Sequence, residues 1–450
     1  MKVIIVGAGN VGFTSAEALC KVHDVLVIEK DSVKADNVKS LLNVSVLHED
    51  GSNPKVLKEA IARIDADIIL SAVPEDGLNL FICLMAKRIK KSITTVACLR
   101  DPDYIIKTSG EGVEGVDLLI SPELITAEKI TKLAIMENSV TYDYISSMNV
   151  AFATFRVDKG HDLIGKVVMD LDIPENCTVV AIYRGDNVII NNETAEIHID
   201  DRICVLGSPE TMEAVNKLIG IEKDAKEFVI LGASVVGIAV AKAILQSGKK
   251  RFVKIIDKDE EACKNAAREL SDVIVVNADI VDPMTLRAEN VQRADVIISV
   301  SSMDERNLLA CMAALKFGTS KIITRYSTEE YEEIFKYTGI ESIIGYHRVI
   351  SNEITKNLVF DDNAILIMDH EDEFFFSVTI DNKSILTDHC LGDIGIPYGV
   401  RIAAILRDGK MIYPKMDTIF NSGDKILLFT HMVNPVKLSK LLGQKTPLEL

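Results

Sequence analysis

Short apolar runs alternate with stretches of helical periodicity along residues 2–135. The runs are three to five residues long and mostly β-branched, which is typical of strands buried on both faces. Between them, apolar residues recur at helical spacing, for example in Val11–Val22 and Leu78–Lys90. This alternation predicts a doubly wound parallel sheet. Its predicted strands are Val3–Val6, Val25–Ile28, Val44–Leu47, Ile68–Ala72, Thr94–Ala97 and Leu118–Ile120.

The pattern changes between about residue 145 and residue 220. Four strand-like runs follow one another with turn residues between them, and one helical stretch, Glu210–Ile219, ends the segment. We interpret the segment as a small α+β domain, and we expect the first hinge of the chain between Asn138 and Met148. The predicted strands are Ala151–Val157, Thr178–Tyr183, Val188–Ile190 and Arg202–Leu206.

The second half of the chain repeats the first. The stretch around Gly7 recurs around Gly232, displaced by 225 residues, which is half of the 450-residue chain. The small-domain pattern recurs as well, with Ile173-Pro174 matching Ile396-Pro397. Self-similarity of this kind indicates a tandem duplication. We therefore predict four domains: two α/β domains at 1–138 and 224–360, each followed by a small α+β domain, at 139–223 and 361–450.

The first repeat carries a dinucleotide-binding fingerprint, Gly7-Ala8-Gly9-Asn10-Val11-Gly12, between a predicted strand and a predicted helix. In such a loop the first glycine makes the turn, the second lets the backbone approach a pyrophosphate, and the third lets the helix pack closely on the sheet. Glu29 ends the second strand, where an acid accepts hydrogen bonds from a ribose diol and opposes a 2′-phosphate. We therefore predict a Rossmann domain that binds NAD rather than NADP, with Glu29 outside the hydrophobic core.

The second repeat has a weaker fingerprint, Gly232-Ala233-Ser234-Val235-Val236-Gly237. Ser234 replaces the second glycine, and its Cβ crowds the approach of a pyrophosphate. Asp257 still provides an acid at the end of the second strand. Two interpretations stay open here, a second nucleotide site and a purely structural Rossmann domain. In either case we expect the amino-terminal site to bind a dinucleotide more tightly.

Other candidate residues follow strands at the carboxyl edge of each sheet, where open α/β sheets bind ligands. Asp50 and Asp279 follow the third strands. Two interpretations stay open for them: contact with an adenine, or a structural role as a turn residue or helix cap. Val73-Pro74 follows the fourth strand of the first repeat and would lie along the ligand. Arg100 follows the fifth strand and could either bind a phosphate or form a surface ion pair.

The overall composition narrows the class of protein. The chain has 50 Lys and Arg against 67 Asp and Glu, a net charge of −17, so no basic footprint for nucleic acid is present. The two longest uncharged stretches near the glycine motifs have 14 residues each, whereas a membrane-spanning helix needs about 20. The eight cysteines show neither a C-x-x-C motif nor zinc-ligand spacing. We expect a cytoplasmic protein with reduced thiols and no metal site.

The sequence lacks an evident catalytic group. A dehydrogenase needs a general acid or base and a substrate clamp beside its dinucleotide. The small domains contain His161, His198, His370 and His389, but no histidine grouping recurs between the repeats. A Walker A loop, an H-E-x-x-H motif and a nucleophile elbow are also absent from the sequence. We expect a non-enzymatic nucleotide sensor, with a duplicated NAD-dependent oxidoreductase as the alternative.

The duplicated domain order and several motifs resemble the TrkA family. The motifs are the Gly7–Gly12 loop, Glu29, Glu49-Asp50-Gly51-Ser52, Glu75-Asp76-x-x-Asn79 and Leu99–Tyr104. The resemblance implies a cytoplasmic NAD-binding regulatory subunit built from RCK (regulator of potassium conductance) domains. It also implies a homo-oligomeric ring on the inner face of the membrane, docked on a Trk-type potassium-transporting membrane subunit. NAD(H), or alternatively ATP or ADP, would control potassium transport.

The resemblance also assigns nucleotide contacts to Gly7, Ala8, Gly9, Asn10, Val11, Glu29, Val73 and Pro74. The fifth strand departs from the family pattern A-R-x-R, because this chain has Cys98 where the first arginine stands and keeps only Arg100. In the second repeat Arg325 aligns with Cys98 and Ser327 with Arg100. We therefore expect each repeat to keep one phosphate-facing arginine, and the two sites to differ in phosphate affinity.

Overall fold

The computed structural model describes most of the chain. The described residues are 1–20, 23–101, 103–106, 113–136, 138–145, 148–185, 187–190, 193–219, 225–328, 330–358, 365–367 and 373–431. His370 and the end of the predicted helix Val11–Val22 lie outside the described residues. Among the described residues, no helix has both the length and the apolar character that crossing a bilayer requires.

The first domain is a six-stranded sheet in the order β3-β2-β1-β4-β5-β6, and every paired strand is parallel. Apolar side chains fill both faces, as predicted for a doubly wound sheet. The strands are β1 (Lys2–Val6), β2 (Asp24–Glu29), β3 (Ser45–His48), β4 (Ile68–Ser71), β5 (Thr94–Cys98) and β6 (Leu118–Ile120). The helices are α1 (Asn10–Leu19), α2 (Ser32–Leu41), α3 (Pro54–Ile64), α4 (Asp76–Ile89), α5 (Asp103–Ile106) and α6 (Pro122–Ile135).

The first small domain is an antiparallel sheet in the order β10-β9-β11-β8-β7. The predicted hinge between Asn138 and Met148 is wrong, because residues 139–145 form an edge strand paired with the next strand. In this half-buried strand, polar residues alternate with the buried Val140 and Tyr142, and the sequence therefore lacks the continuous apolar run that indicates a fully buried strand. The elements are β7 (Ser139–Ile145), β8 (Val150–Arg156), β9 (Cys177–Arg184), β10 (Asn187–Ile189), β11 (Arg202–Gly207) and α7 (Pro209–Ile219).

The third domain repeats the first, with parallel strands in the order β14-β13-β12-β15-β16-β17. Its strands are β12 (Glu227–Leu231), β13 (Phe252–Asp257), β14 (Val273–Asn277), β15 (Val296–Ser299), β16 (Lys321–Tyr326) and β17 (Ser342–Gly345). Its helices are α8 (Val235–Gln246), α9 (Glu260–Glu269), α10 (Pro283–Ala288), α11 (Asp304–Lys316), α12 (Glu330–Tyr337) and α13 (Tyr346–Leu358).

The second small domain has strands in the order β18-β19-β22-β20-β21. It packs on the first small domain through a shared apolar cluster, in which the rings of Phe152 and Phe375 lie 4.8 Å apart between centroids. The described strands are β18 (Ile365–Ile367), β19 (Glu373–Thr379), β20 (Val400–Arg407), β21 (Lys410–Ile412) and β22 (Lys425–His431).

The two Rossmann domains exchange their last helices. Helix α6 of the first domain packs on α8 of the second, and α13 of the second packs on α1 of the first. Lys321, at the start of β16, is only 9% exposed and donates to the backbone oxygens of Leu133, Met136 and Ser139 at distances of 2.5–2.8 Å. A cation thus caps the carboxyl end of α6 from the other domain. This exchange brings the carboxyl edges of the two parallel sheets close together.

Candidate functional site

A cavity of about 550 Å³ opens at the carboxyl edge of the first sheet, within the size range of small-molecule sites. The edge is the place where a doubly wound sheet binds ligands, since the strand order reverses between β1 and β4. The predicted residues that line the cavity are Gly7, Gly9, Asn10, Val11, Glu29, Asp50, Val73, Pro74, Cys98, Arg100 and Arg325.

The first glycine loop leaves the start of α1 open. Gly7 has φ +96°, and a Cβ on Gly12 would lie 1.9 Å from the Gly7 oxygen, so the fold itself requires both glycines. A Cβ on Gly9 would meet no atom of the described chain within 4 Å. Gly9 is also the helix cap and provides no side-chain acceptor. The free N–H groups at the start of α1 are therefore available to an anion.

Glu29 holds this loop in place. Its carboxylate accepts from the Ala8 N–H at 2.5 Å and from the Asp31 N–H at 2.8 Å. Glu29 is only 7% exposed, and it lies beside the hydrophobic core, since neither apolar cluster of this sheet includes it. The acid is buried because it satisfies two backbone donors of the turns beside it. Two further lone-pair directions of the carboxylate stay available to a ribose.

Two polar side chains shape the neighbouring strand ends. Asn79 is buried, accepts from the Val73 N–H at 2.8 Å and donates to the Cys98 oxygen at 2.7 Å, so it joins the ends of β4 and β5. Asp50 accepts from the Ser52 hydroxyl at 2.7 Å and from the Ser52 N–H at 2.9 Å, and these bonds lower its pKa. Asp50 thus stabilises a turn and also lines the cavity.

Cys98 and Arg100 differ sharply in environment. Burial raises the pKa of the Cys98 thiol to about 12, so this position is a small neutral part of the wall. Arg100 is exposed, and its backbone N–H donates to the Asp76 carboxylate at 2.9 Å. The adjacent Asp101 N–H donates to the other Asp76 oxygen at 2.9 Å. Asp76 therefore fixes the loop from which Arg100 reaches the cavity.

The second Rossmann domain supplies one wall of the cavity at the first glycine loop. Arg325 at the end of β16, and Tyr346 and His347 at the start of α13, line it beside Glu123 of α6. The Tyr346 hydroxyl donates to Glu123 at 2.8 Å. Burial raises the pKa of Glu123 and lowers the pKa of His347 to about 4. Arg100 and Arg325, which the alignment distributes between two sites, thus line one cavity.

Glu123, Tyr346 and His347 were not among the residues predicted from the sequence. The available signal was their position, because each stands in the first turn of the helix that follows the last strand of its sheet. Ser121 caps α6 by accepting from the Leu124 N–H, and Pro122 follows it, so the start of this helix is well defined.

The second glycine loop is closed by its own side chains. Gly232 and Gly237 keep the tight geometry, with φ +124° at Gly232, and Asp257 accepts from the Ala233 N–H at 2.8 Å. The Ser234 hydroxyl donates to the Val300 oxygen at 2.8 Å and accepts from the Gly237 N–H at 3.2 Å. Ser234 therefore occupies a donor at the start of α8 that Gly9 leaves free in the first loop. Of the two valines that follow, Val235 is half exposed and Val236 is buried.

Asp279 is also occupied in the second domain. Its carboxylate accepts from the Val281 N–H at 3.0 Å and pairs with Arg306 of α11, and these contacts lower its pKa. The corresponding position to Arg306 in the first domain is Leu78, which lines the open cavity. The two domains thus have the same fold but differ in access to the ends of their third strands.

Comparisons with known proteins match all four domains. The TrkA-N domain model matches residues 3–122 and 228–346, and the TrkA-C domain model matches residues 152–220 and 375–434. "Trk system potassium uptake protein TrkA homolog 1" of Methanosarcina mazei is 29% identical over 96% of this chain and 97% of its own length. "Trk system potassium uptake protein TrkA" of Halomonas elongata is 25% identical over 95% of both chains.

Solved structures show the same fold. The crystal structure of the GsuK RCK domain has a TM-score of 0.61 and 17% identity, over 98% of this chain and 94% of that one. A GsuK channel described as bound to NAD has a TM-score of 0.62 and 17% identity, over 96% of this chain and 77% of that one. These relatives are named as potassium uptake proteins, and these solved structures as an RCK domain and a channel. Because the TrkA-N and TrkA-C models together match both halves of the sequence, the chain belongs to the TrkA family of tandem RCK-domain proteins involved in potassium transport.

Proposed function

We propose that the protein is a nucleotide-sensing regulatory subunit that controls a Trk-type potassium transporter through NAD(H) bound in the cavity at the first glycine loop. The observation that carries the proposal is that both Rossmann domains build this cavity. The first domain contributes the open start of α1, and the second contributes Arg325 and Tyr346. A ligand there would contact both domains and so bias their relative arrangement.

The chemistry of the cavity favours NAD(H) over NADP(H). Glu29 offers carboxylate lone pairs to a ribose diol, and its charge opposes a 2′-phosphate. The start of α1 and Arg100 offer donors to the pyrophosphate. ATP and ADP present the same adenosine and a phosphate chain, so they are the alternative ligands. A structural neighbour is described as bound to NAD, which supports this choice of ligand class.

Control would follow a population shift. A nucleotide that binds one arrangement of the Rossmann domains more tightly favours that arrangement by its difference in affinity. The small domains follow because β7 continues directly from α6, which packs on the second Rossmann domain. A membrane subunit docked on this assembly would then change its potassium conductance.

We further propose a homo-oligomeric ring that contacts the inner face of the membrane through its partner. Apolar side chains are exposed at corresponding positions of the two Rossmann domains, Phe81 and Leu84 on α4 and Leu309 and Met312 on α11. Exposed apolar patches of this kind suit a protein interface. We expect a multiple of the 49.5 kDa chain in solution at micromolar concentration. A monomeric mass with and without NADH would contradict the ring.

The function is tested by co-purification and transport. The chain and the Trk-type membrane subunit from the same genome would be expressed together and reconstituted in vesicles. We expect a stable complex whose potassium flux changes with NADH, and a weaker response in the Gly9→Ser variant. Failure of the two proteins to associate, or a flux indifferent to NADH, ATP and ADP, would refute the proposed function.

A further inference from the structure

One carboxylate oxygen beside the cavity receives no hydrogen bond from the described residues. It belongs to Glu123, in the first turn of α6, which lines the cavity at the first glycine loop. Its Oε1 accepts from the Tyr346 hydroxyl at 2.8 Å, whereas its Oε2 is buried and has no partner among the described residues. Leaving a buried acceptor unsatisfied costs free energy, so a ligand that brings a donor to this oxygen is favoured.

The fold itself does not require an acid at this position. Ser121 already caps α6 by accepting from the Leu124 N–H. In the second repeat, 225 residues further on, the corresponding residue is Arg348, which pairs with Glu332 at 2.7 Å. The acid thus stands beside the open glycine loop and is replaced beside the closed one.

Glu29 and Glu123 lie on opposite sides of the point where the strand order reverses. Glu29 ends β2 and Glu123 follows β6, and the order β3-β2-β1-β4-β5-β6 places four strand intervals between them. Neighbouring strands are about 4.8 Å apart, so β2 and β6 are separated by roughly 19 Å in the sheet. With this spacing, we expect an adenosine held at Glu29 to end short of Glu123. A dinucleotide reaches it, because it lies across the reversal point with one nucleoside on each side.

We propose that Glu123 binds the second nucleoside of a dinucleotide, with Oε2 accepting from a ribose hydroxyl or from the carboxamide N–H of nicotinamide. The inference rests on the proposed nucleotide site and selects NAD(H) among its candidate ligands. ADP leaves Oε2 without a donor, whereas NAD(H) supplies one, and a hydrogen bond to a carboxylate is stronger than one between neutral groups. The Tyr346 hydroxyl, from the second Rossmann domain, holds the carboxylate in place for this contact.

Calorimetric titrations of the full-length chain with NADH, ADP-ribose and ADP test the inference. The variants are Glu123→Ala, which removes the acceptor, and Glu123→Gln, which keeps an acceptor oxygen without the charge. The matched control is Glu128→Gln, an exposed position on the same helix that does not line the cavity. We expect Glu123→Ala to weaken NADH binding by about tenfold with ADP affinity unchanged, and Glu123→Gln to show a smaller loss. The control should match the wild type.

ADP-ribose identifies the donor, because it has the second ribose but no nicotinamide. If Glu123→Ala weakens ADP-ribose as much as NADH, Oε2 accepts from the ribose. If it weakens NADH alone, Oε2 accepts from the carboxamide. Both results support the inference.

The remaining outcomes separate the inference from the proposed function. Unchanged NADH affinity in Glu123→Ala would overturn the inference and leave the nucleotide site in place. Equal losses for NADH and ADP would overturn it too, because a purely structural acid affects both ligands. Absence of binding of both NADH and ADP to the wild type would refute the proposed function itself.

Discussion

At the scale of single residues, Gly9 and Ser234 distinguish the two glycine loops. A serine at position 9 fits the fold, because its Cβ would meet nothing within 4 Å and the Gly9 φ of −68° suits any residue. Its hydroxyl would cap α1 as Ser234 caps α8, which removes a donor from the phosphates. We predict that Gly9→Ser weakens NADH binding about tenfold, equal to about 1.4 kcal/mol, while the thermal midpoint is kept or rises slightly.

The reverse change, Ser234→Gly, is the companion measurement. It frees the start of α8 and should leave the tight binding event in the cavity at the first glycine loop unaffected. Fluorescence titration of NADH with both variants makes the comparison. Undiminished NADH affinity in Gly9→Ser would contradict the assignment of the first glycine loop.

Glu29 has a double role that the sequence did not indicate. Glu29→Ala removes the proposed ribose acceptor and also leaves the Ala8 and Asp31 N–H groups without their partner. We predict weaker NADH binding together with a loss of stability of about 1–3 kcal/mol, the usual cost of leaving buried donors unsatisfied. Calorimetry and chemical denaturation measure the two effects. Glu59→Ala, an exposed position on α3, is the control and should change neither.

Glu123 should make the stability of the nucleotide-free protein depend on pH. Burial raises its pKa above the ordinary value of 4.5, so the folded chain keeps this proton after the unfolded chain has lost its own. Stability contributed by the group is therefore complete below pH 4.5 and falls as pH rises towards the folded pKa.

Glu123→Gln removes this dependence and keeps an oxygen that can accept from Tyr346. We predict that the variant gains thermal midpoint over the wild type as pH increases from 4.5 through that window. Parallel pH profiles for the two proteins would contradict the buried charge.

At the scale of elements, Lys321 joins the two Rossmann domains by capping α6. Lys321→Met keeps the length of the side chain but removes the ammonium donor of three carbonyl oxygens, of which the Met136 oxygen still accepts from Ser139. We predict a loss of about 1.5–3 kcal/mol, seen as a lower urea midpoint, together with faster hydrogen exchange at the end of α6. Lys264→Met, at an exposed ion pair on α9, provides the control. Equal urea midpoints for the two variants would contradict the cap.

Most elements of the fold could be predicted from apolar periodicity. All six predicted strands of the first sheet are confirmed, because parallel strands buried on both faces produce continuous apolar runs. The strand β7 was missed because it is half buried and its polar residues imitate a linker. The exact domain boundaries stay a prediction.

The candidate site was only partly predictable for a different reason. The glycine loop and Glu29 belong to one short segment with a known spacing, so the sequence indicates them together. Arg325, Tyr346 and Glu123 come together through the exchange of α6 and α13. Periodicity shows that these helices have an apolar face, but it does not show which domain covers that face.

At the scale of the whole molecule, residues of both duplicated Rossmann domains line the cavity at the first glycine loop. The first domain keeps an uncapped glycine loop, whereas Ser234 and the Arg306–Asp279 pair occupy the corresponding loop of the second. The second domain contributes a wall instead, through Arg325 and Tyr346. This division of roles predicts a regulator with one tight nucleotide site per chain, at the contact between its two halves.

Calorimetric titration of NADH into the full-length wild-type chain tests this central claim most directly, because it returns affinity and stoichiometry together. We expect one tightly bound NADH per chain, with any second event at least about tenfold weaker. Two sites of equal affinity per chain would contradict the division of roles between the Rossmann domains, and the absence of binding would contradict the nucleotide site.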